Sequence, residues 1–226
     1  MRAPVSVVIP TLNAEGGLPA CLSALFEGVQ AGLIRELVIV DGGSEDTTQE
    51  IAQEAGATLV ETSPSRGGQL GAGARASEGE WLLFVHADTV LSEGWSAAVE
   101  PVLSNPDRAH YFKLRFDQGG VPARIVAGWA NLRARLFGVP YGDQGLLVSR
   151  VVYNANGGYP DIPLMEDVAI ARALKGRLRV LPATAVTSSA KYRKQGWLRR
   201  GARNLTTLTR YLLGASPESL AQSYRR

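Results

Sequence analysis

The chain has 226 residues, 45% of them hydrophobic and 20% charged, with a formal net charge of +3. That is enough for one good-sized core and a small appendage, and the composition is ordinary for a soluble globular protein. The single cysteine, Cys21, excludes an internal disulfide, no apolar run reaches the roughly 18 residues of a membrane span, and Met1-Arg2-Ala3-Pro4 leads into a strand with no leader-type apolar stretch, so a cytoplasmic location is expected.

Taken in chain order, residues 5–10 form an apolar run suited to a buried strand, and 13–28 read as a helix. Residues 36–41 (Glu-Leu-Val-Ile-Val-Asp) are a second strand. Residues 44–55 have helical character, with Ser44 placed to cap the helix and Glu45 and Asp46 in its first turn. A short strand at 57–61, a small-residue helix at 66–77 and a strand at 81–86 follow. Strands alternating with helices at this spacing predict a parallel sheet with right-handed crossovers. Beyond about residue 105 the pattern loosens: strand 109–116, helix 123–137 with Trp129, Leu132 and Leu136 spaced for one face, strand 145–149, helix 164–174 and strand 178–181. From Trp197 two helical stretches are expected, separated at 214–217.

Several stations along this order could carry chemistry. The strand Trp81-Leu82-Leu83-Phe84-Val85 runs into His86-Ala87-Asp88. A strand buried on both faces opens at its C-terminal edge, where a carboxylate can hold a divalent cation that neutralises a diphosphate, although Asp88 could equally cap the next turn. Asp41 ends the second strand before Gly42-Gly43-Ser44, placed to accept from a base imide or a ribose hydroxyl, or simply to cap a strand-to-helix turn. Gly71-Ala72-Gly73-Ala74-Arg75-Ala76 matches Gly-x-Gly-x-x-Ala but follows the third strand rather than the first, so it reads as a small-residue helix packed on the sheet. Arg66 and Arg75 could reach phosphate or base. Glu166-Asp167 pairs two acids at a helix start, as a general base or as partners of the helix dipole. Gly142-Asp143-Gln144-Gly145 reads as an acceptor-binding turn or a hairpin.

Charge is unevenly distributed. From Lys191 onward there are nine Lys or Arg against the single acid Glu218, a segment charge of +8 beside −5 for residues 1–190. Trp197, Leu198, Leu205, Leu208, Tyr211, Leu212 and Leu213 interleave with Arg199, Arg200, Arg203 and Arg210. Such a tail could lie on a membrane surface, pack on the body or form a dimer contact.

In order, Val7-Val8-Ile9-Pro10-Thr11-Leu12-Asn13, Val40-Asp41-Gly42-Gly43-Ser44-Glu45-Asp46-Thr47, His86-Ala87-Asp88 and Glu166-Asp167 resemble the family 2 glycosyltransferases with the GT-A fold. The chain looks closest to a compact bacterial subgroup that has His-Ala-Asp in place of Asp-x-Asp, a Gly-Asp-Gln-Gly turn, and a basic tail ending in Leu-Gly-x-Ser-Pro-Glu (213–218). The resemblance implies an α/β fold: a GT-A type, Rossmann-like, mostly parallel sheet flanked by helices, with a C-terminal helical tail. It implies a domain over 1–190, its nucleotide-binding half at 1–105 and its acceptor and catalytic half at 106–190, and a basic helical tail at 191–226. It further implies an inverting, metal-assisted transfer of sugar from a nucleotide-diphosphate donor, with UDP as the default, to an acceptor hydroxyl. Pro10, Thr11, Asn13, Asp41, Arg66, His86 and Asp88 would serve the donor, and Asp88 with His86 the Mn²⁺ or Mg²⁺. Asp143 and Gln144 would face the acceptor, Asp167 would be the base, and Glu166 would position it or the acceptor. The departure is His86, where a neutral imidazole replaces a carboxylate and either shifts preference from Mg²⁺ toward Mn²⁺ or weakens metal binding.

Two other readings compete, one enzymatic and one not. A sugar nucleotidyltransferase would carry a Gly-rich basic phosphate loop after the first strand, where this chain has Pro-Thr-Leu-Asn. A nucleotide-sugar sensor would have no need of Glu166-Asp167. Nucleic acid is not an expected partner, since no aromatic stacking platform interleaves with the basic residues on a sheet. A lipid-linked acceptor and a homodimer both remain compatible with the tail.

Overall fold

The computed structural model describes residues 3–225. Met1 and Arg2, at the start expected to lead into the first strand, and Arg226, the last cation of the basic tail, lie outside the described residues. One eight-stranded sheet runs through the molecule in the order β3-β2-β1-β4-β7-β6-β8-β5. Its strands are β1 (Val5–Thr11), β2 (Ile34–Asp41), β3 (Thr58–Glu61), β4 (Trp81–Phe84), β5 (Thr89–Leu91), β6 (Ala109–Phe116), β7 (Leu146–Ser149) and β8 (Leu178–Thr187). Strands β3, β2, β1 and β4 are mutually parallel, as the alternation predicts, and β6 pairs parallel with β8. Strand β7 runs antiparallel to both β4 and β6, and β5 antiparallel to β8.

Successive side chains of the central strands enter opposite layers, the two-residue period of a strand buried on both faces. Val7, Ile9, Ile39 and Leu83 meet α1 (Leu18–Gln30) and α4 (Trp95–Val99) through Leu18, Leu25, Trp95 and Val99. Val8, Val38, Val40, Leu82 and Phe84 meet α3 (Arg66–Ala76) and α7 (Glu166–Ala173). The close approach of α3 needs glycine: a Cβ on Gly73 would lie 2.3 Å from Val8 Cγ1 and 2.8 Å from Val40 Cγ2. The Gly-x-Gly-x-x-Ala run is therefore a packing surface, as its position after β3 implies.

The registers determine where the site forms. Thr11 pairs with Asp41 at the ends of β1 and β2, and Val8 pairs with Phe84, so the chain after β4 emerges at the same edge. Because β7 is antiparallel to β4, with Leu146 opposite Phe84, the residues preceding β7 arrive at that edge too. The segment Gly142–Gln144 forms one short 3-10 turn there.

Several expected boundaries move. The strand expected to reach 86 ends at Phe84; Val85 still donates its N–H to Val8, but Thr89 then bonds back to His86 and turns the chain. The helix expected from 13 begins at Leu18, because Asn13 holds φ +49° and binds the loop after β2 instead. The helix expected from 44, α2, spans Thr48–Glu54 behind Thr47, and the Ser44 hydroxyl donates to Asp41 rather than capping it. Strand β8 runs on to Thr187, past the expected 181, because β6 and β5 pair along its added length. The helix expected at 123–137, α5 (Gly120–Phe137), buries Ala123, Ala127, Ala130, Arg133 and Ala134 and leaves Trp129, Leu132 and Leu136 outside.

The tail forms α8 (Ala190–Gln195), α9 (Trp197–Leu212) and α10 (Pro217–Arg225), with α6 (Arg150–Ala155) being the remaining short helix of the body. Leu208 and Leu220 pack on Met165 and Val168, while Trp197 and Tyr192 close over Phe116 and α5. Among the described residues no helix is long and apolar enough to cross a membrane.

Candidate active site

A cavity of about 870 Å³ opens at this edge. It is lined by the chain after β1 (Pro10 to Ala14), by Arg66, by His86 to Asp88, by Tyr141 to Asp143 and by Met165 to Asp167. The tail forms its far wall through Lys191, Tyr192, Arg200 and Tyr224.

His86, Asp88 and Asp143 form a cluster whose ligand atoms, one from each side chain, lie within 4.8 Å of one another. His86 Nδ1 is 2.9 Å from Asp143 Oδ1. Burial would raise the Asp143 carboxyl, but its hydrogen bond and charge contact with His86, helped by Arg66 and Lys191, hold it at about 2. An ionised carboxylate accepts, so the imidazole donates. The neighbour Gly142 has no room for a side chain: a Cβ there would sit 2.6 Å from His86 Cε1 and Nε2.

Asp167, which also lines the cavity, accepts at Oδ2 from the backbone N–H of Gly142 at 2.8 Å. Glu166 is 3% exposed and its carboxyl is pushed up to about 7, by burial first and the Asp167 charge second, with Arg66 opposing both. Arg66 Nε stands 3.8 Å from Glu166 Oε1. Burial works against the Arg66 charge, but Glu166, Asp143, Asp167 and Asp88 together outweigh it. Among the described residues two non-glycine residues have positive φ, Asn13 at +49° and Met165 at +69°, and both line the cavity. Such backbone costs about 1–3 kcal/mol and persists where surrounding contacts enforce it.

Two expected site residues are placed differently. Asp41 is fully buried and does not line the cavity; Thr11 Oγ1, the N–H groups of Gly43 and Ser44, the Ser44 hydroxyl and Gln49 Nε2 all donate to it. Two carboxylate oxygens offer about four lone-pair sites, so a base imide finds none free in this arrangement. Asp41 shapes the loop that Asn13 and Ser44 share. Gln144, expected to face an acceptor, is wholly buried; it accepts from the Tyr141 N–H and donates to the Phe112 carbonyl, fixing the turn from behind. Its neighbour Asp143 points to His86 rather than into an acceptor turn. Arg75 is exposed on α3 and does not line the cavity.

Sequence reasoning passed over Tyr141, which lines the cavity, and Arg133 beneath it, whose guanidinium carbon lies 3.3 Å from the Tyr141 ring centroid. An aromatic residue immediately before a Gly-Asp-Gln-Gly turn was the available signal; nothing marked Arg133, which sits among helix alanines. Lys191, the first cation of the tail, also reaches the cavity.

Comparison with known proteins identifies the lineage. The model of the family described as "Glycosyl transferase family 2" matches residues 6–136, more than half of the chain. The chain belongs to glycosyl transferase family 2. Within it, the PGL/p-HBAD biosynthesis glycosyltransferase of Mycobacterium bovis is 39% identical over 101 residues, 41% of this chain and 39% of that protein. This family 2 chain therefore spans well under two thirds of the curated relative. Among solved structures, the mannosyltransferase PcManGT from Pyrobaculum calidifontis, in complex with GDP-Man and Mn²⁺, superposes with a TM-score of 0.68 at 20% identity over 96% of this chain and 67% of that one. TarS 1–349 of S. aureus gives 0.61 at 18% identity, covering 91% and 64%. Glucosyl-3-phosphoglycerate synthase from Mycobacterium tuberculosis, in complex with Mn²⁺ and UDP-Glc, gives 0.56 at 22%, covering 82% and 69%. These likenesses establish the GT-A type sheet with flanking helices.

Proposed function

We propose that this chain transfers a sugar from a nucleotide-diphosphate donor, UDP-linked by default, to an acceptor hydroxyl with inversion at the anomeric carbon. The observation that carries the reading is the pair of stations lining one cavity and tied through Gly142: the His86–Asp88–Asp143 cluster and Asp167. The cluster offers one imidazole and two carboxylates, a mixed nitrogen and oxygen set that suits Mn²⁺ and accommodates Mg²⁺. A cation held by these three side chains would supply charge to offset what develops on the departing diphosphate.

The remaining work falls to the chain itself. Pro10, Thr11 and Asn13 form the donor wall, with Asp41 holding their loop in shape. Arg66 supplies a guanidinium toward the phosphates. Asp167 takes the proton from the acceptor hydroxyl, and Glu166 beside it adjusts the local charge. In-line attack from the Asp167 side inverts the sugar. In this reading residues 1–105 serve the donor, 106–190 the acceptor and catalysis, and 191–226 close the cavity.

Support comes from the family match, a Mycobacterium bovis relative whose name carries glycosyltransferase, and neighbours solved with UDP-Glc or GDP-Man and Mn²⁺. The test is a melting-temperature panel of UDP, GDP, CDP and dTDP with and without Mn²⁺. A ligand at 100 times its Kd stabilises by about 2.7 kcal/mol, a shift of several degrees. One nucleotide giving a Mn²⁺-dependent shift is the expected result; none doing so overturns the reading.

A further inference from the structure

The cavity that holds Asp167 is also lined by Ile125 and Trp129 of α5 and by Leu198 and Leu205 of α9. These four apolar side chains are 65%, 52%, 88% and 46% exposed. They continue onto the outer surface. Val121, Ile125, Trp129, Leu132 and Leu136 are all exposed, and at about 100° per residue they fall within an arc of roughly 80° on α5. The buried face of the same helix is mostly alanine. A helix that only packed against the body would place its large residues inward and its small ones outward; α5 does the reverse.

Helix α9 adds a second apolar face and a cationic side. Leu198, Leu205 and Leu212 recur every seven residues on one exposed face. Arg199, Arg203 and Arg210 lie about 120–160° around the helix from the middle of that leucine face, and among the described residues none of them pairs with a carboxylate. A helix with an apolar face and cations on its other side matches an anionic bilayer surface. A second copy is the poorer occupant, since a two-fold contact through this face would bring two segments of charge +8 together.

We propose that α5 and α9 together dock on an anionic lipid surface, and that the acceptor is an amphiphile drawn from it, its chain lying between Ile125–Trp129 and Leu198–Leu205 and its hydroxyl at Asp167. The acceptor half of this inference rests on the transferase reading. The docking half rests on the two helix faces alone.

The experiment is flotation of the full chain with vesicles of phosphatidylcholine alone and mixed with phosphatidylglycerol, the latter also prepared with brominated acyl chains. Co-flotation is expected with the anionic vesicles only, weakening as salt is added. Brominated chains are expected to quench tryptophan emission, and Trp129→Phe to remove a measurable part of that quenching, because Trp81 and Trp95 are buried and only the half-buried Trp197 of α9 shares the cavity wall with Trp129. The double variant Leu136→Glu/Leu212→Glu, whose positions do not line the cavity, should lose vesicle binding by at least about tenfold while keeping its melting temperature and its nucleotide shift. Failure to float with anionic vesicles, or equal flotation of the double variant, overturns the docking. Flotation without quenching at Trp129 overturns the placement of the chain at the cavity. A Mn²⁺-dependent nucleotide shift without flotation sinks the lipid inference alone, whereas flotation without any nucleotide shift sinks the acceptor assignment together with the transferase reading.

Discussion

The backbone N–H of Gly142 donates to Asp167 at 2.8 Å, and the next residue, Asp143, holds His86 at 2.9 Å. One short turn therefore ties the proposed base to the proposed cation cluster. Two residues of main chain set the spacing between them, and the absent side chain at Gly142 lets the imidazole lie against the turn.

Gly142→Ala places a Cβ 2.6 Å from the His86 ring and must push it away from Asp143. Groups that orient a ligand typically change metal affinity by about 10–100-fold when lost. The expected outcome is a Mn²⁺ requirement raised by that factor, measured by titrating the metal in a transfer assay or a melting-temperature assay. An unchanged titration would separate His86 from the cation.

Asp167→Asn retains an oxygen to accept from Gly142 but cannot take a proton. Transfer should fall by about 10²–10⁴, with nucleotide binding within a few-fold of the native chain. Single-turnover transfer and nucleotide titration on the same preparation check both halves, and a variant that transfers at the native rate moves the base elsewhere.

Glu166 has a folded-state pKa of about 7, above its ordinary 4.5. The folded chain therefore binds more protons than the unfolded chain across that interval, and stability falls as pH rises through it. Glu166→Gln removes the ionisation. Without metal, its melting temperature should overtake that of the native chain progressively between about pH 4.5 and 7. A difference that stays flat with pH would show that Glu166 is already ionised at the bottom of the interval.

Gln144→Leu strips a wholly buried turn of two hydrogen bonds, leaving the Tyr141 N–H and the Phe112 carbonyl unsatisfied. A loss of about 1–3 kcal/mol is expected. Asp143→Asn should do the opposite, leaving the melting temperature near native and weakening the Mn²⁺-dependent nucleotide shift. Denaturant unfolding and nucleotide titration of both variants test whether adjacent residues divide the work in this way.

The chain order of strands and helices and the parallel half of the sheet were legible in the residues, and Asp88 and Asp167, which the sequence singles out, both line the cavity. A strand buried on both faces must be apolar throughout, and its polar exit at His86 and Asp88 is then conspicuous. Boundaries were harder. Ser44 looks like a helix cap by type and position, yet its hydroxyl goes to Asp41, because the ends of β1 and β2 lie side by side and a buried carboxylate there recruits every donor within reach.

By itself, then, the sequence determined periodicity, local caps and the order of motifs, since these depend on neighbours a few residues away. Only the tertiary structure decided that Asp143 joins His86 while Gln144 turns inward, because that follows from β7 running antiparallel to β4, a pairing between segments about sixty residues apart. The same holds for α5. Its spacing predicts one apolar face, but which face is covered depends on what packs against it, and here the alanine side meets β6 while Trp129 and Leu132 remain outside.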